Sequence, residues 1–261
     1  MTFPTATQPT PAALLPALVT LARQAGAEIM TVYDGDFEVR RKDDASPVTR
    51  ADELAEALIV RGLQALDPGV PVVAEEAVSR GERVVPGRRF WLVDPLDGTR
   101  EFVQRNGEFT VNIALVVEAV PVAGVVFAPA IDLLFAGALG AGAFLEEEGV
   151  RCGAACRPPP PEGLEVLVSR SHDDPEALRR FLQGRRVAAF RPAGSSLKFG
   201  LLAAGRGDLY PRLSRTMEWD TAAGHAVLSA AGGEVSDLSG RPLRYGKPGF
   251  ENPHFIARGR P

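Results

Sequence analysis

The segment WLVDPLDGTREF, residues 91–102, places two carboxylates three residues apart beside a proline and a glycine. Pro95 has no backbone N–H and favours an extended conformation for Asp94, so we expect Asp94 at the end of a strand. The side chains of Asp94 and Asp97 can converge on one cation, with the carbonyl of Leu96 between them. Oxygen ligands of this kind suit Mg²⁺, Mn²⁺ or Ca²⁺ rather than zinc.

A purely structural explanation of the same segment stays open. Asp and Gly are common turn residues, so a strand, a tight turn and an Asp at a helix N-cap would also account for the pattern. If a helix begins at Gly98 and Thr99, their backbone N–H groups lie where a helix start binds phosphate. The local spacing does not decide between a turn and a metal site.

Other acids lie at the ends of predicted elements. Glu75 and Glu76 end the apolar run VPVVA, and adjacent carboxylates repel each other unless a cation is present. Asp220, in EWDTAAG, precedes a helix of small residues and taken alone is typical of an N-cap. Four acids at strand ends and helix starts together favour a metal site.

The first half of the chain is predicted to supply two helices and an antiparallel sheet. Apolar residues recur at helical spacing over residues 11–33 and 51–66. Short strands are predicted at 70–74 and 90–93, ahead of the acids. Further short apolar runs with short connections predict an antiparallel meander over residues 111–117, 121–127, 133–138 and 142–145.

The second half alternates strands with helices, which is typical of an α/β unit. The proline run in residues 157–163 is the predicted boundary, because consecutive prolines form a stiff, extended linker. We therefore expect an α+β domain at 1–160 that carries most metal ligands, and an α/β domain at 161–261 with Asp220 and the substrate contacts. The predicted strands are 164–168, 187–190 and 207–213, and the predicted helices are 173–184, 195–204 and 220–231.

Composition excludes several classes of function. The chain has 261 residues and a formal net charge of −4, so it lacks the basic excess of a protein that coats a nucleic-acid polymer. Charged residues and prolines interrupt the apolar stretch 114–145, so no membrane span is predicted. The N-terminus lacks the pattern of a secretory signal. Cys152 and Cys156 are predicted to be unpaired thiols of a cytoplasmic protein.

Two motifs of the chain resemble the two signatures of the inositol monophosphatase-like superfamily of Mg²⁺-dependent phosphomonoesterases: WLVDPLDGTREF and EWDTAAG. The resemblance extends from about Leu14 to Ala257, and it is closest to the bacterial CysQ-type 3'(2'),5'-bisphosphate nucleotidases. It implies an α/β fold, a layered sandwich of helices and two sheets. The segments that carry the branch resemblance are DDASPVTRAD (43–52), DPLDGTREFVQRNGEFTVNIAL (94–115), SRSH (169–172), GSSLKFGLLAAGRGDLYPRL (194–213) and MEWDTAAGHAVLSAAGG (217–233).

The resemblance also implies a role for each matching residue. The expected metals are two or three Mg²⁺ ions per site, with Mn²⁺ as a possible substitute. The implied metal ligands are Glu75, Asp94, Asp97, Asp220 and the carbonyl of Leu96. The implied catalytic set is Asp44, Thr99 and Glu75, with Gly98 and Thr99 holding the scissile phosphate. Asp44 would orient the attacking water, and Asp52 and Glu76 would support the site.

Contacts with the rest of the substrate are implied for four residues of the second half. Lys198 and Arg212 can bind a second phosphate through their positive charge. The guanidinium of Arg212 can form two hydrogen bonds with it. His172 and Ser195 complete the set. Taken alone, each has an ordinary explanation: a loop histidine, a helix cap or a surface cation. Only the joint match favours the binding role.

The reaction that the resemblance implies is removal of the 3'-phosphate of adenosine 3',5'-bisphosphate, giving AMP and phosphate. Two cations about 3.5–4 Å apart can activate the water and neutralise the leaving oxygen. A role in sulfur assimilation and inhibition by lithium are family-level expectations. The partner is then a small phosphorylated molecule, and the chain is expected to be a monomer or a homodimer. The alternatives are an inositol-1-phosphate or fructose-1,6-bisphosphate phosphatase, and a non-catalytic metal- or phosphate-binding regulator.

Overall fold

Two long helices open the fold. The computed structural model describes residues 9–41, 47–170 and 174–260. Helix α1 (Pro11–Tyr33) and helix α2 (Arg50–Leu66) agree with the predicted helices. Thr49 caps α2 in a capping box with Asp52, in which each residue bonds the backbone or side chain of the other. The apolar faces of α1 and α2 pack together and cover one face of a large sheet.

The large sheet is the predicted meander with additions at both ends. Its strands within the described residues run in chain order: β3 (Val72–Ala74), β4 (Arg89–Asp97), β5 (Thr110–Val117), β6 (Val120–Ala128), β7 (Leu133–Ala138), β8 (Gly142–Glu147) and β9 (Val150–Ala154). Strand β3 is parallel to β4, and all later neighbours are antiparallel. Strand β9 was not predicted, because four of its five residues are exposed and leave no alternating pattern. A separate ribbon pairs β1 (Arg40–Arg41) with β2 (Pro47–Val48).

The second half builds a smaller mixed sheet. Its strands are β10 (Leu164–Ser169), β11 (Val187–Ala193), β12 (Leu209–Arg212), β13 (Glu234–Asp237) and β14 (Phe255–Arg258), in the spatial order β11-β10-β12-β14-β13. The first three are the predicted strands and are parallel, whereas β14 runs antiparallel to both of its neighbours. Neither β13 nor β14 was predicted from the sequence.

Five short helices complete the architecture: α3 (Glu75–Ser79), α4 (Thr99–Val103), α5 (Pro175–Leu182), α6 (Leu197–Ala203) and α7 (Ala222–Ala230). Short 3₁₀ turns lie at Pro129–Ile131 and Pro248–Phe250. As the capping rules predict, Asp174 accepts the first N–H groups of α5, and Gly184 has a left-handed φ of 80° just past its end. Helices α6 and α7 begin two residues later than predicted, so Ser195 and Asp220 lie in the loops that precede them.

The layers are helices, sheet, helices, sheet and one outer helix, which confirms the expected layered sandwich. Helices α6 and α7 lie between the two sheets and contribute to a core with residues of both halves of the chain. Helix α7 approaches β6 closely, since a Cβ at Gly124 would lie 2.6 Å from the carbonyl oxygen of Ala223. The small residues at the start of α7 therefore allow this helix to pack closely on the large sheet. The division into domains at residue 160 stays a prediction.

The lengths of the helices and the state of the two cysteines bear on two further predictions. Over the described residues, no helix is both long and apolar enough to cross a membrane. Cys152 is exposed and Cys156 is buried, and both carry free thiols as predicted. Burial raises the pKa of the Cys156 thiol to about 11. That thiol is consequently protonated at neutral pH.

Candidate metal centre and active site

A β-bulge in strand β4 brings the two aspartates of the opening motif together. Asp94 pairs with Asn112 of β5, and Asp97 pairs with Thr110. Three steps along β4 thus face two steps along β5, which is one extra residue on β4. In a regular strand, residues three apart point to opposite faces, whereas the bulge turns both carboxylates to one side. Pro95 is tolerated at this point because a bulge leaves a residue outside the hydrogen-bonding ladder.

Glu75 reaches the same place from the neighbouring strand. Ala74 at the end of β3 lies opposite Val93 of β4, so the next residues along the two parallel strands are Glu75 and Asp94. Glu75 is the first residue of α3 and is half-buried. Parallel strands end at the same edge of a sheet, and this edge is where the acids predicted from the sequence meet.

Asp220 arrives from the second half of the chain, in the loop before α7. Its Oδ2 accepts a hydrogen bond of 2.8 Å from the backbone N–H of Met217. The N-cap of α7 is Thr221, and the structure gives this helix no side-chain cap bond. The N-cap explanation of Asp220 is therefore wrong. The N-cap of α4 is likewise Gly98 rather than Asp97.

Three of these carboxylates form a tight cluster. One oxygen of each of Glu75, Asp94 and Asp220 lies within 4.8 Å of the others. Asp94 is 1% exposed, and burial followed by the negative charges of Glu75, Asp97 and Asp220 raises its pKa well above the ordinary value. Burial also raises the pKa of Asp220, with Asp97 and Glu75 adding to the effect. Close buried carboxylates cannot all ionise unless a cation neutralises them.

The donor set of the cluster fits a divalent cation with oxygen ligands. All three side chains offer carboxylate oxygens, which suit Mg²⁺ or Mn²⁺ better than a soft metal. The carbonyl oxygen of Leu96 lies beside the cluster and accepts a hydrogen bond of 3.4 Å from the Thr99 hydroxyl. The backbone N–H of Leu96 donates a hydrogen bond of 3.0 Å to Oδ1 of Asp94. The second carboxylate oxygen of Asp94 is thereby left for the cluster. The residues present are those that a Mg²⁺ site requires.

Asp97 lines the same cleft but is anchored to the second half of the chain. Its Oδ2 accepts the backbone N–H of Ser196 at 2.7 Å and the side-chain amide of Asn112 at 3.4 Å. Burial raises the pKa of Asp97, although the Lys198 ammonium and hydrogen bonds from Ser195 and Ser196 oppose this rise. Asp97 therefore joins the two halves of the chain at the site.

Thr99 and Gly98 follow directly at the start of α4. The Thr99 hydroxyl lies 3.4 Å from Oδ1 of Asp52, whose Oδ2 accepts the backbone and side chain of Thr49. Gly98 has φ 90°, a left-handed conformation that favours glycine, and a Cβ there would lie 3.2 Å from Cβ of Ser195. Asp52 thus contacts the hydroxyl predicted to act on water, and Gly98 lets the loop of the second half approach.

Three of the residues predicted to bind the rest of the substrate line the same cleft from the second half of the chain. Ser195 has a left-handed φ of 51°, and its hydroxyl forms a short hydrogen bond with Thr110. Lys198 is 1% exposed, and its Nζ donates to the carbonyls of Ala193 at 2.9 Å and Ser195 at 2.6 Å. Both residues line the cleft. Lys198 thus holds the Ser195 turn in addition to any contact with a ligand.

Arg212, at the end of β12, is the most distinctive of these residues. It is 8% exposed, and one of its terminal nitrogens donates to the carbonyl of Arg215 at 3.3 Å. Its Nε is buried and has no hydrogen-bond partner among the described residues. A buried N–H without an acceptor is rare and costs about 1–3 kcal/mol unless a ligand or water satisfies it. Arg212 lines the same cleft as the carboxylates.

The cleft has a volume of about 510 Å³, which is in the range of small-molecule sites. Its lining comes from both halves of the chain, as expected for a site at their junction. The predicted site residues that line it are Glu75, Asp94, Leu96, Asp97, Gly98, Thr99, Ser195, Lys198, Arg212 and Asp220. Glu76 and Asp52 are both buried and are not among the residues that line the cleft, and Asp52 contacts the lining residue Thr99. Asp44 and His172 lie outside the described residues.

Several residues of the site were missed by the sequence-based prediction. Asn112 and Ser196 share a hydrogen bond of 2.6 Å behind Asp97, but nothing in their local sequence marks this contact. Glu56 is 4% exposed and bonds the start of α3. Its signal was available: it follows Asp52 by four residues, so both acids lie on the buried face of an amphipathic helix.

The geometry of this site agrees with comparisons to known proteins. Residues 11–257 match the model of the inositol monophosphatase family. The chain belongs to this family. It is 48% identical over 245 residues to the 3'(2'),5'-bisphosphate nucleotidase CysQ of Escherichia coli (strain K12), a match covering 93% of this chain and 98% of that relative. Members of the inositol monophosphatase family depend on a metal, generally Mg²⁺.

Solved structures of family members share the fold. The crystal structure of CysQ from Bacteroides thetaiotaomicron matches with a TM-score of 0.80 at 38% identity, covering 95% of this chain and 97% of that one. An inositol monophosphatase (IMPase) of Thermotoga maritima matches with a TM-score of 0.74 at 27% identity, covering 92% and 89%. The fold alone does not separate these two activities, so substrate choice depends on the walls of the cleft.

Proposed function

We propose that this chain is a Mg²⁺-dependent 3'(2'),5'-bisphosphate nucleotidase that hydrolyses the 3'-phosphate of adenosine 3',5'-bisphosphate to AMP and phosphate. The carrying observation is one cleft that is lined both by a carboxylate cluster and by the buried arginine Arg212. The cluster suits the phosphate that reacts, and Arg212 suits a second anionic group. The 48% identity to an Escherichia coli nucleotidase over 93% of the chain supports the same substrate.

The metal would be held by Glu75, Asp94 and Asp220, with Asp97 and the Leu96 carbonyl completing the set. When bound, it would neutralise the phosphate and lower the pKa of a coordinated water. Two or three Mg²⁺ ions per site, with Mn²⁺ as a substitute, belong to this proposal. Burial of the carboxylates keeps their oxygens away from bulk water, where their attraction for a cation would be screened.

The protein's own groups orient the reaction. The Thr99 hydroxyl, held near Asp52, is placed to bond the attacking water, and Asp44 is assigned the same task. The backbone N–H groups of Gly98 and Thr99 are assigned to the scissile phosphate. Water attacks phosphorus, the bond from phosphorus to the 3' oxygen breaks, and that oxygen takes up a proton to become the 3' hydroxyl.

The second phosphate and the nucleoside are assigned to the part of the cleft that the second half of the chain lines. The guanidinium of Arg212, which lines the cleft, would bind the 5'-phosphate through charge-assisted hydrogen bonds. The buried Lys198 ammonium adds positive charge nearby, and Ser195 and His172 complete the proposed contacts. A substrate with a single phosphate and no second anion would leave Arg212 without its partner.

A parallel assay of phosphate release tests the substrate. We expect kcat/KM with Mg²⁺ to be highest for adenosine 3',5'-bisphosphate, and lower for inositol 1-phosphate and fructose 1,6-bisphosphate. A higher value for inositol 1-phosphate would contradict the substrate assignment. Metal binding without phosphate release from any of the three would instead favour a non-catalytic regulator.

A variant at Arg212 tests the second-phosphate contact. Arg212→Met should lower kcat/KM for adenosine 3',5'-bisphosphate about tenfold or more, because a charge-assisted hydrogen bond is lost. For adenosine 3'-monophosphate, which has no 5'-phosphate, the decrease should stay below about threefold. Arg241→Met is the matched control, since Arg241 is an exposed arginine that pairs with Asp237 and is not among the residues that line the cleft. Equal losses for the two substrates would contradict the role of Arg212.

Several finer expectations stay predictions. They are the cytoplasmic location suggested by the unpaired cysteines, the monomeric or homodimeric state, the inhibition by lithium and the place in sulfur assimilation. A phosphatase of this family acts on a small phosphorylated molecule.

A further inference from the structure

Helix α3 begins without a cap of its own. Strand β3 ends at Ala74, and the helix starts at the next residue, Glu75. Ala74 is the N-cap, and alanine has no side-chain group that can accept a hydrogen bond from the first turn. The first N–H groups of a helix have no partner within it, so they need an acceptor from elsewhere.

Glu56 of helix α2 supplies that acceptor. Its Oε2 accepts the backbone N–H of Glu76 at 2.7 Å and that of Ala77 at 3.3 Å. Glu56 is 4% exposed, so these bonds form out of bulk water. A carboxylate at a helix start also interacts favourably with the partial positive charge of the free N–H groups.

The other oxygen of Glu56 binds the far end of the same helix. Oε1 accepts a hydrogen bond of 3.0 Å from the guanidinium of Arg80, the C-cap residue of α3. One carboxylate thus contacts both ends of a helix of five residues. A helix this short is not stable by itself, so its orientation depends on such contacts.

We propose that Glu56 is a positioning residue for the metal ligand Glu75. The N–H of Glu76 belongs to the planar peptide unit that begins at the carbonyl carbon of Glu75. Anchoring this unit on Glu56 fixes the backbone of Glu75 and so the direction in which its side chain leaves. Glu56 therefore sets where the Glu75 carboxylate meets Asp94 and Asp220.

Helix α2 supports the site at two points four residues apart. Asp52 contacts Thr99 at the start of α4, and Glu56 holds the start of α3. Residues four apart share a helix face, so a single rigid helix relates the water-binding hydroxyl to a metal ligand. This inference rests on the proposed metal site but not on the identity of the substrate.

Calorimetric titration of Mg²⁺ into the metal-free protein tests this role directly. Glu56→Ala should raise the dissociation constant about 10- to 100-fold, the usual effect of losing a residue that orients a metal ligand. Glu56→Gln keeps one amide oxygen that can cap α3, so its affinity should lie between those of wild type and Glu56→Ala. Circular dichroism at the titration temperature verifies that each variant is folded.

Two matched variants separate positioning from general damage to α2 or to charge. Glu53→Ala removes an exposed acid of the same helix that pairs with Arg40, and it should leave the Mg²⁺ affinity unchanged. Arg80→Met removes the contact with Oε1 and an exposed pair with Glu82 but leaves the cap on the start of α3, so its affinity should change by less than about threefold, within the small range of exposed ion pairs. At saturating Mg²⁺, kcat of Glu56→Gln should approach that of wild type, because the ligands themselves are intact.

The proposal is overturned if folded Glu56→Ala binds Mg²⁺ as tightly as wild type, or if Glu53→Ala loses as much affinity. If Glu56→Ala does not fold, Glu56→Gln decides: wild-type affinity in that variant overturns the role. Failure of the proposed substrate would leave these affinities untouched. Wild-type protein that binds no Mg²⁺ would overturn both the metal site and the role of Glu56.

Discussion

Two buried aspartates of this molecule have opposite surroundings. Asp208, just before β12, has a side chain that is 1% exposed, and it accepts bonds of 2.9 and 3.1 Å from Arg157 and 2.7 Å from the backbone of Glu165. Asp94 is buried as well, but Glu75, Asp97 and Asp220 surround it with further negative charge. The chain itself neutralises the first aspartate.

The difference separates a structural acid from a functional one. An isolated buried carboxylate is strongly unfavourable, so folded proteins pair it, protonate it or bind a cation to it. Arg157 forms an ion pair with Asp208, and its hydrogen bond to Asp208 raises the pKa of the Arg157 guanidinium. At Asp94 the neighbouring acids make the burial more costly, which is sensible only where a cation completes the site.

The largest effect is expected at the functional aspartate. Asp94→Asn should lower kcat about 1,000-fold or more, equivalent to ~4 kcal/mol of transition-state stabilisation, because it removes a metal ligand. Phosphate release at saturating Mg²⁺ measures this loss. Asp208→Asn is the matched control and should retain most of the activity of its folded fraction. Activity of Asp94→Asn within tenfold of wild type would show that the cluster does not hold the catalytic metal.

The second effect is on stability, at the paired aspartate. Arg157→Met should lower the free energy of unfolding by about 2 kcal/mol, below the usual ~3–5 kcal/mol for a broken buried pair because Arg157 is 37% exposed. Chemical denaturation measures the change. Arg179→Met removes an exposed pair with Glu176 and should cost less than about 0.5 kcal/mol. Equal losses in the two variants would mean that burial does not distinguish Asp208.

The smallest effect is the pH dependence of the metal-free protein. A raised pKa in the folded state means that the folded Asp94 binds its proton more tightly than the unfolded one. Its contribution to stability is therefore present below the ordinary carboxylate pKa of 3.8 and is lost as the pH rises through the raised value. For one proton, the slope is at most about 1.4 kcal/mol per pH unit.

Thermal unfolding of metal-free wild type and Asp94→Asn between pH 4 and 8 isolates this term. Asp94→Asn should be the more stable at pH 8, with the difference shrinking toward pH 4 and disappearing when wild type is saturated with Mg²⁺. Burial lowers the pKa of His225 to about 3, so its contribution to the stability of the protein decreases as the pH falls below the ordinary value of 6.5. Both proteins contain His225, so this contribution cancels in the difference between them. A constant difference across the pH range would contradict the electrostatic account of the cluster.

Much of the fold was readable from the sequence because local patterns encode it. Helices α1 and α2 carry long apolar stripes, and the strands of the meander are short apolar runs with short connections. Strand β9 was not predicted because four of its five residues are exposed. The start of α6 was predicted two residues too early because Ser195 adopts a left-handed backbone conformation that its residue type does not indicate. Prediction was weakest where residues are exposed or where the backbone is unusual.

The candidate site divides along the same line. The acids Glu75, Asp94, Asp97 and Asp220 could be singled out in the sequence because four acids at predicted strand ends and helix starts together favour a metal site. The pairing of Asp208 with Arg157, 51 residues away, has no local signal at all. The contact of Glu56 with the start of α3 becomes meaningful only once α2 and β3 are packed side by side.

The sequence by itself determined the chemistry that this protein has available: hard oxygen ligands, a Gly-Thr segment at a helix start, and the cations Lys198 and Arg212. Only the tertiary structure decided how these groups combine. The bulge at residues 94–97 turns both aspartates to one face, and Glu56 aims Glu75 at them. Residue types are local properties of the chain, whereas the direction of a carboxylate depends on strand register and on packing between segments far apart in sequence.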